Sequence, residues 1–418
     1  MSDRNVVVKQ AVVLVGGLGT RLGERTRLVP KPLLEVAGRP FLDYVLDEIS
    51  RYPAIQEILL LACHRAGQIV DRYEGKRWRN AAISVISEPA QLGTGGALKH
   101  AAAQLDQQFI LLNGDSFFDF NLLDMVASHA TGSCMARIAL KRDQAGDRYG
   151  RVLLEQDVIK AFLPAGARTN GPINSGVYRI DREVLHMIGD VPCSLEQSVF
   201  PRLAANAKMR ASLYDGFFID IGIPDDFERA QIELPQRVRR PAVFFDRDGV
   251  LNVDKAYVYR IDDFEWISGA RDAIKLCNDL GYLTFVVTNQ AGVARGYYGI
   301  DEVNQLHDWM NRDLAEIGAH IDEFQYCPYH EAGIIEEWRK ASDHRKPAPG
   351  MILDCLEGWP VRKEASLLIG DQRHDLEAAA AAGIQGHLFE GGDLVAFVRP
   401  LVEAAGMKAE ATVNNRGA

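Results

Sequence analysis

Short β-branched runs alternate with helix-period segments along the whole chain, and the alternation halts and starts afresh at Ala242. That rhythm marks α/β units built around mainly parallel sheets, and its restart implies two such units. In the first series the pattern predicts strands at 12–15, 57–61, 83–86 and 109–112. Phe41, Leu42, Val45, Leu46 and Ile49 recur at helical spacing, which predicts a helix over 40–51 with one buried face and Pro40 in its first turn. A polar, proline-flanked stretch at 235–241 separates the two series. The second predicts strands at 242–245, 283–287 and 367–369 and helices at 270–280 and 303–317. The expected domains are therefore 1–234 and 241–407, joined by a linker at 235–240 and followed by a polar, frayed tail at 408–418.

The total of 418 residues suits two domains, and the 47% hydrophobic and 25% charged fractions give each half material for its own core. A formal net charge of −10 leaves no broad basic surface to neutralise a phosphate backbone, so nucleic acid is not an expected partner. Small anionic substrates need only a few local cations and stay open, as does self-association. The cysteines at 63, 134, 193, 277, 327 and 355 show no close pairing, no leader precedes the first strand, and no apolar run reaches the roughly 18–20 residues that span a bilayer. A cytoplasmic protein with reduced thiols and no membrane partner is expected.

Directly after the first strand come Gly16-Gly-Leu-Gly-Thr-Arg-Leu22 and, further on, Pro30-Lys-Pro32. Glycines let the backbone approach a polyphosphate and offer N–H donors, while Arg21 and Lys31 supply fixed positive charge. Alone, the glycines would fit a tight surface turn equally well. The loop lacks the Gly-Lys-Ser/Thr ending of a P-loop and the spacing of the dinucleotide fingerprint. Both pieces together resemble the signature of sugar-1-phosphate nucleotidyltransferases. The resemblance continues through Leu92-Gly-Thr-Gly-Gly-Ala97, Leu112-Asn-Gly-Asp-Ser116, Asp147-Arg-Tyr-Gly150, Ile173-Asn-Ser-Gly-Val-Tyr178 and Phe218-Ile-Asp-Ile-Gly222. It implies a Rossmann-like, GT-A-like domain in which Asp115 and Asp220 hold Mg²⁺. It also implies that Gly16, Gly17, Gly19 and Thr20 cradle the phosphates, that Glu88 and Gly93 flank the base, and that Gly150 and Asn174 meet the sugar. In the implied reaction a sugar phosphate oxygen attacks the α-phosphorus of a nucleoside triphosphate. Positioning and charge neutralisation carry such a step, with Arg21 on the leaving pyrophosphate and Lys31 near the reacting centre. Among relatives, guanylyltransferases for D-glycero-α-D-manno-heptose 1-phosphate look most similar, which favours GTP. Guanylyltransferases for mannose 1-phosphate and uridylyltransferases share the core motifs.

The second series opens on Ala242-Val-Phe-Phe-Asp-Arg-Asp-Gly-Val250, a buried strand running into two aspartates one residue apart. At a strand's carboxyl end both can face one ligand, which suits metal-assisted phosphoryl transfer through a covalent intermediate; an acidic turn is the bland alternative. With Val287-Thr-Asn-Gln290, Arg345-Lys-Pro347 and Ile369-Gly-Asp-Gln-Arg-His-Asp375, the segment resembles the four motifs of the haloacid dehalogenase (HAD) superfamily, a Rossmannoid phosphatase fold. The resemblance implies that Asp246 attacks phosphorus and that Asp248 serves as acid and then base. Thr288 and Lys346 would hold the phosphate, and Asp371 and Asp375, with Asp246 and Asp248, would form a Mg²⁺ site. A narrower similarity, to D-glycero-D-manno-heptose 1,7-bisphosphate 7-phosphatases, implies a substrate pocket of Asp254, Tyr257, Asn289, Gln290, Arg295 and Arg345. Such phosphatases commonly carry a structural Zn²⁺ on Cys-x-His and Cys-x-Cys. This chain keeps Cys327 but has Tyr329, Ser342 and His344 at the other positions, so no Zn²⁺ is expected; a substitute site of Cys327, His330 and His344 is the alternative.

One sugar could pass through both activities: loss of a 7-phosphate from a heptose bisphosphate, then guanylylation at the anomeric phosphate. That joint fit implies a bifunctional enzyme of GDP-heptose synthesis with Mg²⁺ in both domains. The alternatives are a hexose 1-phosphate nucleotidyltransferase fused to another small-molecule phosphatase, or a sugar-nucleotide-binding regulator with one inactive head.

Overall fold

The computed structural model describes residues 8–128, 134–142, 149–164 and 171–415, those from 406 onward by backbone alone. The chain divides into two compact units, Met1–Arg237 and Val238–Ala418.

The first unit is built on a ten-stranded sheet in the order Arg151–Glu155, Val158–Leu163, Met209–Tyr214, Ala136–Lys141, Ile173–Asp181, Gln108–Asn113, Gln10–Leu14, Glu57–Ala62, Ala81–Ser87 and Arg77–Trp78. Gln10–Leu14 pairs in parallel with Glu57–Ala62 on one side and Gln108–Asn113 on the other. Val12 and Val13 are fully buried, as a strand covered on both faces requires. The four early strands predicted from the sequence are present; three are lengthened by one to three residues, and the first starts at Gln10 and ends at Leu14, so that Val15 already belongs to the loop. Ile173–Asp181 runs antiparallel to both of its long neighbours, Gln108–Asn113 and Ala136–Lys141. The helix expected at 40–51 is Phe41–Ser50, with Pro40 as its cap rather than inside its first turn.

The helix Pro224–Arg237 takes in the first residues of the expected linker. Phe227, Ala230 and Leu234 bury one of its faces, and that burial carries the helix past Pro235, whose ring removes a single N–H near the last turn.

The second unit holds a five-stranded sheet in the order Glu323–Cys327, Leu283–Asn289, Ala242–Phe245, Leu367–Gly370 and Gln385–Leu388, parallel throughout. The expected helices are Ala270–Asp279 and Ile300–Ala315. A last helix, Leu394–Asn415, continues through the segment expected to fray from Lys408. Leu394, Val398 and Val402 are buried at helical spacing, and the alanine-rich turns beyond them have high helix propensity.

Phe285 lies in the strand beside Ala242–Phe245, fully buried, with its ring 5.0 Å from that of Phe244 and 5.6 Å from that of Trp359. Phe285→Ala is expected to destabilise the second unit by about 3–5 kcal/mol. Urea unfolding followed by limited proteolysis should register the loss in the second unit, while the first unit, served by a separate core, keeps its wild-type midpoint.

Candidate active sites

In the first unit the strand Gln10–Leu14 feeds the loop 15–19, where Gly19, at φ +63°, turns the chain into the short 3-10 turn Thr20–Leu22 that presents Arg21. Lys31 opens a second such turn and points inward, only 4% exposed. Its ammonium lies 2.6 Å from Asp115 Oδ2 and 3.4 Å from Asp220 Oδ1. These carboxylates come from distant parts of the sequence. Ser116–Phe118 and Phe218–Asp220 pair antiparallel with Asp220 opposite Ser116, and the Ile221 N–H donates to the Asp115 carbonyl at 3.0 Å. Gly222 shows how tightly the groups gather. A Cβ there would stand 2.9 Å from Arg21 Nη2 and Asp220 Oδ1 and 3.1 Å from Lys31 Nζ, so a larger residue would push these side chains out of their present positions.

Burial raises the pKa of Asp220, the nearby Asp115 charge adds to the shift, and Lys31 opposes it. Two carboxylates facing one point, with a lysine ammonium already between them, form a donor set that suits a divalent cation. Glu88 follows the strand Ala81–Ser87, and its Oε1 is 3.1 Å from where a Cβ on Gly16 would stand, which joins the expected base-side residue to the phosphate loop. Burial raises the Glu88 carboxyl above its ordinary range. Gly17 faces open space, and Gly93 begins the helix Gly93–His100. Gly150 directly precedes the strand Arg151–Glu155, while Asp147 and Arg148 of the same motif lie outside the described residues. The Asn174 amide is engaged internally: Nδ2 donates to Tyr178 Oη at 2.8 Å and Oδ1 accepts from the Gly176 N–H at 2.8 Å.

In the second unit the carboxyl ends of three adjacent parallel strands converge, which is where open α/β sheets bind ligands. Ala242–Phe245 delivers Asp246 and Asp248, Leu283–Asn289 delivers Thr288, and Leu367–Gly370 delivers Asp371 and, one turn on, Asp375. Lys346 Nζ lies 2.7 Å from Asp246 Oδ1 and 2.7 Å from Asp375 Oδ1. The Arg247 N–H donates to the same Asp246 oxygen at 2.8 Å, and Oδ2 accepts no hydrogen bond among the described residues. Asp375, at the start of the helix Arg373–Ala382, accepts from the Gln372 N–H at 3.0 Å. Gly249, at φ +87°, lets the loop pass Asp371, since a Cβ would sit 2.4 Å from that carboxylate.

Ligand oxygens of Asp246, Asp371 and Asp375 lie within 4.8 Å of one another, and Asp371 Oδ1 is buried without a hydrogen-bond partner among the described residues. Burial pushes the Asp246 carboxyl up to about 7, with Lys346 opposing and Asp375 and Asp248 adding to the shift. Burial likewise raises Asp371. Burial works against the Lys346 charge, but Asp246 and Asp375 outweigh it and raise its pKa. Three carboxylates against one ammonium leave an excess of negative charge, and with an orphaned oxygen the trio fits a hard divalent cation. Asp248, counted with the metal ligands from the sequence, stands outside this trio. Its oxygens are taken instead by Arg247, Asn252 and Gln290.

Around the mouth, Asp254 Oδ1 accepts from the Ala256 N–H at 2.9 Å, and Tyr257, in the left-handed region at φ 64°, packs edge-on to Tyr297. The Arg295 guanidinium lies 5.9 Å from the Tyr257 ring, and Arg345 is half-buried nearby in the sequence to Lys346. Asn289 and Gln290 are engaged internally. Asn289 exchanges hydrogen bonds with the Lys346 backbone at 3.1 Å each way, and Gln290 donates to Asp248 and Thr288. Cys327, His330 and His344 do not gather their ligand atoms among the described residues. His344 sits between Asp343 at 2.9 Å and Asp354 at 2.8 Å, and His330 Nδ1 accepts from the Ala332 N–H.

Sequence reasoning missed Arg247, Asn252, Tyr298 and His307, all of which bear on Asp248. His307 carried one signal: it falls on the face of the helix Ile300–Ala315 that buries Val303, Met310 and Leu314.

Residues 10–237 match the nucleotidyl transferase family and residues 344–395 a HAD-hydrolase-like family. The D-glycero-beta-D-manno-heptose-1,7-bisphosphate 7-phosphatase of Rhodopseudomonas palustris is 48% identical over 164 residues, 39% of this chain and 91% of that protein. The enzyme of the same name from Salmonella typhi is 44% identical over 144 residues, 34% of this chain and 77% of that protein. The crystal structure of HddC from Yersinia pseudotuberculosis complexed with GMP-PN is 29% identical, covers 54% of this chain and 100% of its own, and has a TM-score of 0.48. Among the described residues no helix is long and apolar enough to cross a membrane.

The crowding of carboxylates makes a testable demand on the metal-free protein. With its pKa raised from 3.8 to about 7, Asp246 contributes stability that is complete below the lower value and lost as pH rises through the upper one. Asp246→Asn holds the neutral form at every pH. In EDTA at pH 8 it is expected to be more stable than wild type by on the order of 1–2 kcal/mol in thermal unfolding, with the difference shrinking toward pH 5. A wild type that is the more stable at both pH values would refute the account.

Proposed function

Through residues 10–237 the chain belongs to the nucleotidyl transferase family, and through its second unit it belongs to the heptose-1,7-bisphosphate 7-phosphatases of HAD type; from that premise we propose that one chain carries out two consecutive steps on one sugar. The second unit removes the 7-phosphate of D-glycero-D-manno-heptose 1,7-bisphosphate. The first then transfers GMP from GTP to the heptose 1-phosphate, giving GDP-heptose and pyrophosphate. The observation that carries the proposal is that each unit contains its own constellation of carboxylates about a buried lysine: Lys31 with Asp115 and Asp220, and Lys346 with Asp246 and Asp375.

In the phosphatase, an Asp246 oxygen attacks phosphorus and the bond from phosphorus to the C7 oxygen breaks, with Asp248 giving its proton to that oxygen. Water then attacks the aspartyl phosphate, Asp248 takes a proton from it, and inorganic phosphate leaves. Thr288 and Lys346 hold the transferred group, and Mg²⁺ on Asp246, Asp371 and Asp375 supplies charge neutralisation. In the transferase, Arg21 and Lys31 brace the triphosphate, and Asp115 and Asp220 hold Mg²⁺. Glu88 supports the choice of GTP, because a carboxylate accepts from the adjacent N1–H and 2-amino donors that guanine presents. Removal of the 7-phosphate leaves C1 untouched, so both heads must accept the same anomer.

Dephosphorylation comes first. A 7-phosphate adds nearly two negative charges, and burying it beside Asn174 and Gly150, in a sugar pocket built for a hydroxyl, would be costly without additional cations.

Asp115→Asn is expected to abolish pyrophosphate release and spare phosphate release. Asp246→Asn should block GDP-heptose formation from the bisphosphate while leaving guanylylation of heptose 1-phosphate intact. A phosphorylated GDP-heptose formed by that variant at the wild-type rate would reverse the proposed order. We also place no structural zinc in the loop after Cys327. Elemental analysis should return Mg²⁺-dependent protein without stoichiometric zinc, and about one tightly held Zn²⁺ per chain would contradict this.

A further inference from the structure

Arg247, the residue between the two aspartates, is completely buried, and a buried guanidinium is costly unless its charge is met. Its Nη2 donates to Asp248 Oδ1 at 3.1 Å, to Asp248 Oδ2 at 2.9 Å and to the Val258 carbonyl at 2.6 Å. Behind it, Nη1 faces His307 Nε2 at 3.4 Å. His307 is itself 4% exposed and stacks on Phe324 with ring centroids 4.3 Å apart. Held there as the neutral imidazole, it presents a lone pair to the arginine.

The other side of the Asp248 carboxylate is gripped as well. Asn252 Nδ2 donates to Oδ1 at 3.0 Å and Gln290 Nε2 to Oδ2 at 3.0 Å. Gln290 is in turn fixed by Tyr298, whose hydroxyl donates to Oε1 at 2.7 Å, and that ring stacks on Tyr259 with centroids 4.7 Å apart. Asp246 has a different set of partners, Lys346 and the Arg247 backbone. The side-chain network around Arg247 therefore bears on Asp248, while Asp246 is held by Lys346 and by a backbone N–H that a substitution at position 247 keeps.

We propose that Arg247, backed by His307, is the positioning residue that fixes the Asp248 carboxylate for proton transfer to the leaving sugar oxygen. The proposal rests on the phosphatase reading above, in which Asp248 is the acid and Asp246 the nucleophile. Proton donation matters when the leaving group is an alkoxide and matters little when it is a stable phenolate. Asp248 acts as base only after the leaving group has departed, and kcat/KM reports the steps up to that departure. A group that orients the acid must therefore affect kcat/KM for the two classes of ester unequally, whereas a group needed only for folding affects them equally.

The experiment compares heptose bisphosphate with p-nitrophenyl phosphate on the same preparation of full-length protein with Mg²⁺, so that the ratio of the two kcat/KM values is independent of the folded fraction. Arg247→Met should lower kcat/KM on the sugar phosphate by on the order of 30- to 100-fold, with kcat/KM for p-nitrophenyl phosphate reduced less than about threefold. His307→Phe keeps the ring stack but loses the acceptor, and should shift the ratio in the same direction by a smaller factor. His307→Gln, which restores an acceptor, should bring the ratio back toward wild type. Equal losses on both esters in Arg247→Met and in His307→Phe, or an unchanged ratio in both, would overturn the proposal. If wild type ignores the heptose bisphosphate, the substrate reading fails separately. The ratio is then read with any other alkyl phosphate that the site hydrolyses.

Discussion

A buried ammonium between carboxylates is the interaction on which each half of this chain depends. Lys31 and Lys346 are 4% and 3% exposed, and burying either side chain there would be costly without its acidic partners. The dependence runs both ways, because the acids are crowded enough that burial raises Asp220, Asp246 and Asp371 toward neutrality. One lysine offsets that repulsion only partly in either unit. What remains is an unmet demand for positive charge at the point where a phosphorylated ligand and its metal would enter, and the site is organised for binding before either arrives.

The two units meet this demand with different scaffolds. In the second, three neighbouring strands of a parallel sheet end at one level, so short motifs after each strand are enough to bring Asp246, Thr288 and Asp371 together. In the first, Asp220 reaches Asp115 through the small antiparallel pairing of Phe218–Asp220 with Ser116–Phe118, outside the main sheet. Close approach by glycine serves both: Gly222 lets Arg21, Lys31 and Asp220 crowd together, and Gly249 lets the loop pass Asp371.

Much of this was legible in the sequence. Strands such as Ala242–Phe245 and Leu283–Asn289 are short runs rich in β-branched and aromatic residues, as strands covered on both faces require. The motifs after them carry phosphate and metal chemistry that tolerates few residue types. Other features were hidden for physical reasons. Pro235 suggested a break, yet Leu234 and its neighbours bury enough apolar surface to hold the helix. The tail looked merely polar, although Val398 and Val402 anchor the helix that runs into it. Arg247 looked like an ordinary spacer between two aspartates, since nothing local announces that its partner His307 lies 60 residues away.

The same distinction explains why the motifs identify reactions more readily than sugars. Phosphate, metal and acid–base groups are common to every substrate these folds accept, and strand ends present them in fixed positions. The segment that follows Asp254 is built differently: Ala256 and Tyr257 adopt left-handed backbone conformations and the Tyr257 ring packs against Tyr297. A conformation of that kind costs on the order of 1 kcal/mol or more and persists only where its surroundings enforce it. Here those surroundings include the adjoining residues Val258 and Tyr259, through which the loop touches the Arg247 and Tyr298 side chains. The loop that carries Tyr257 and the network around Asp248 are therefore one structure, so a change in the conformation of that loop also bears on the Asp248 carboxylate.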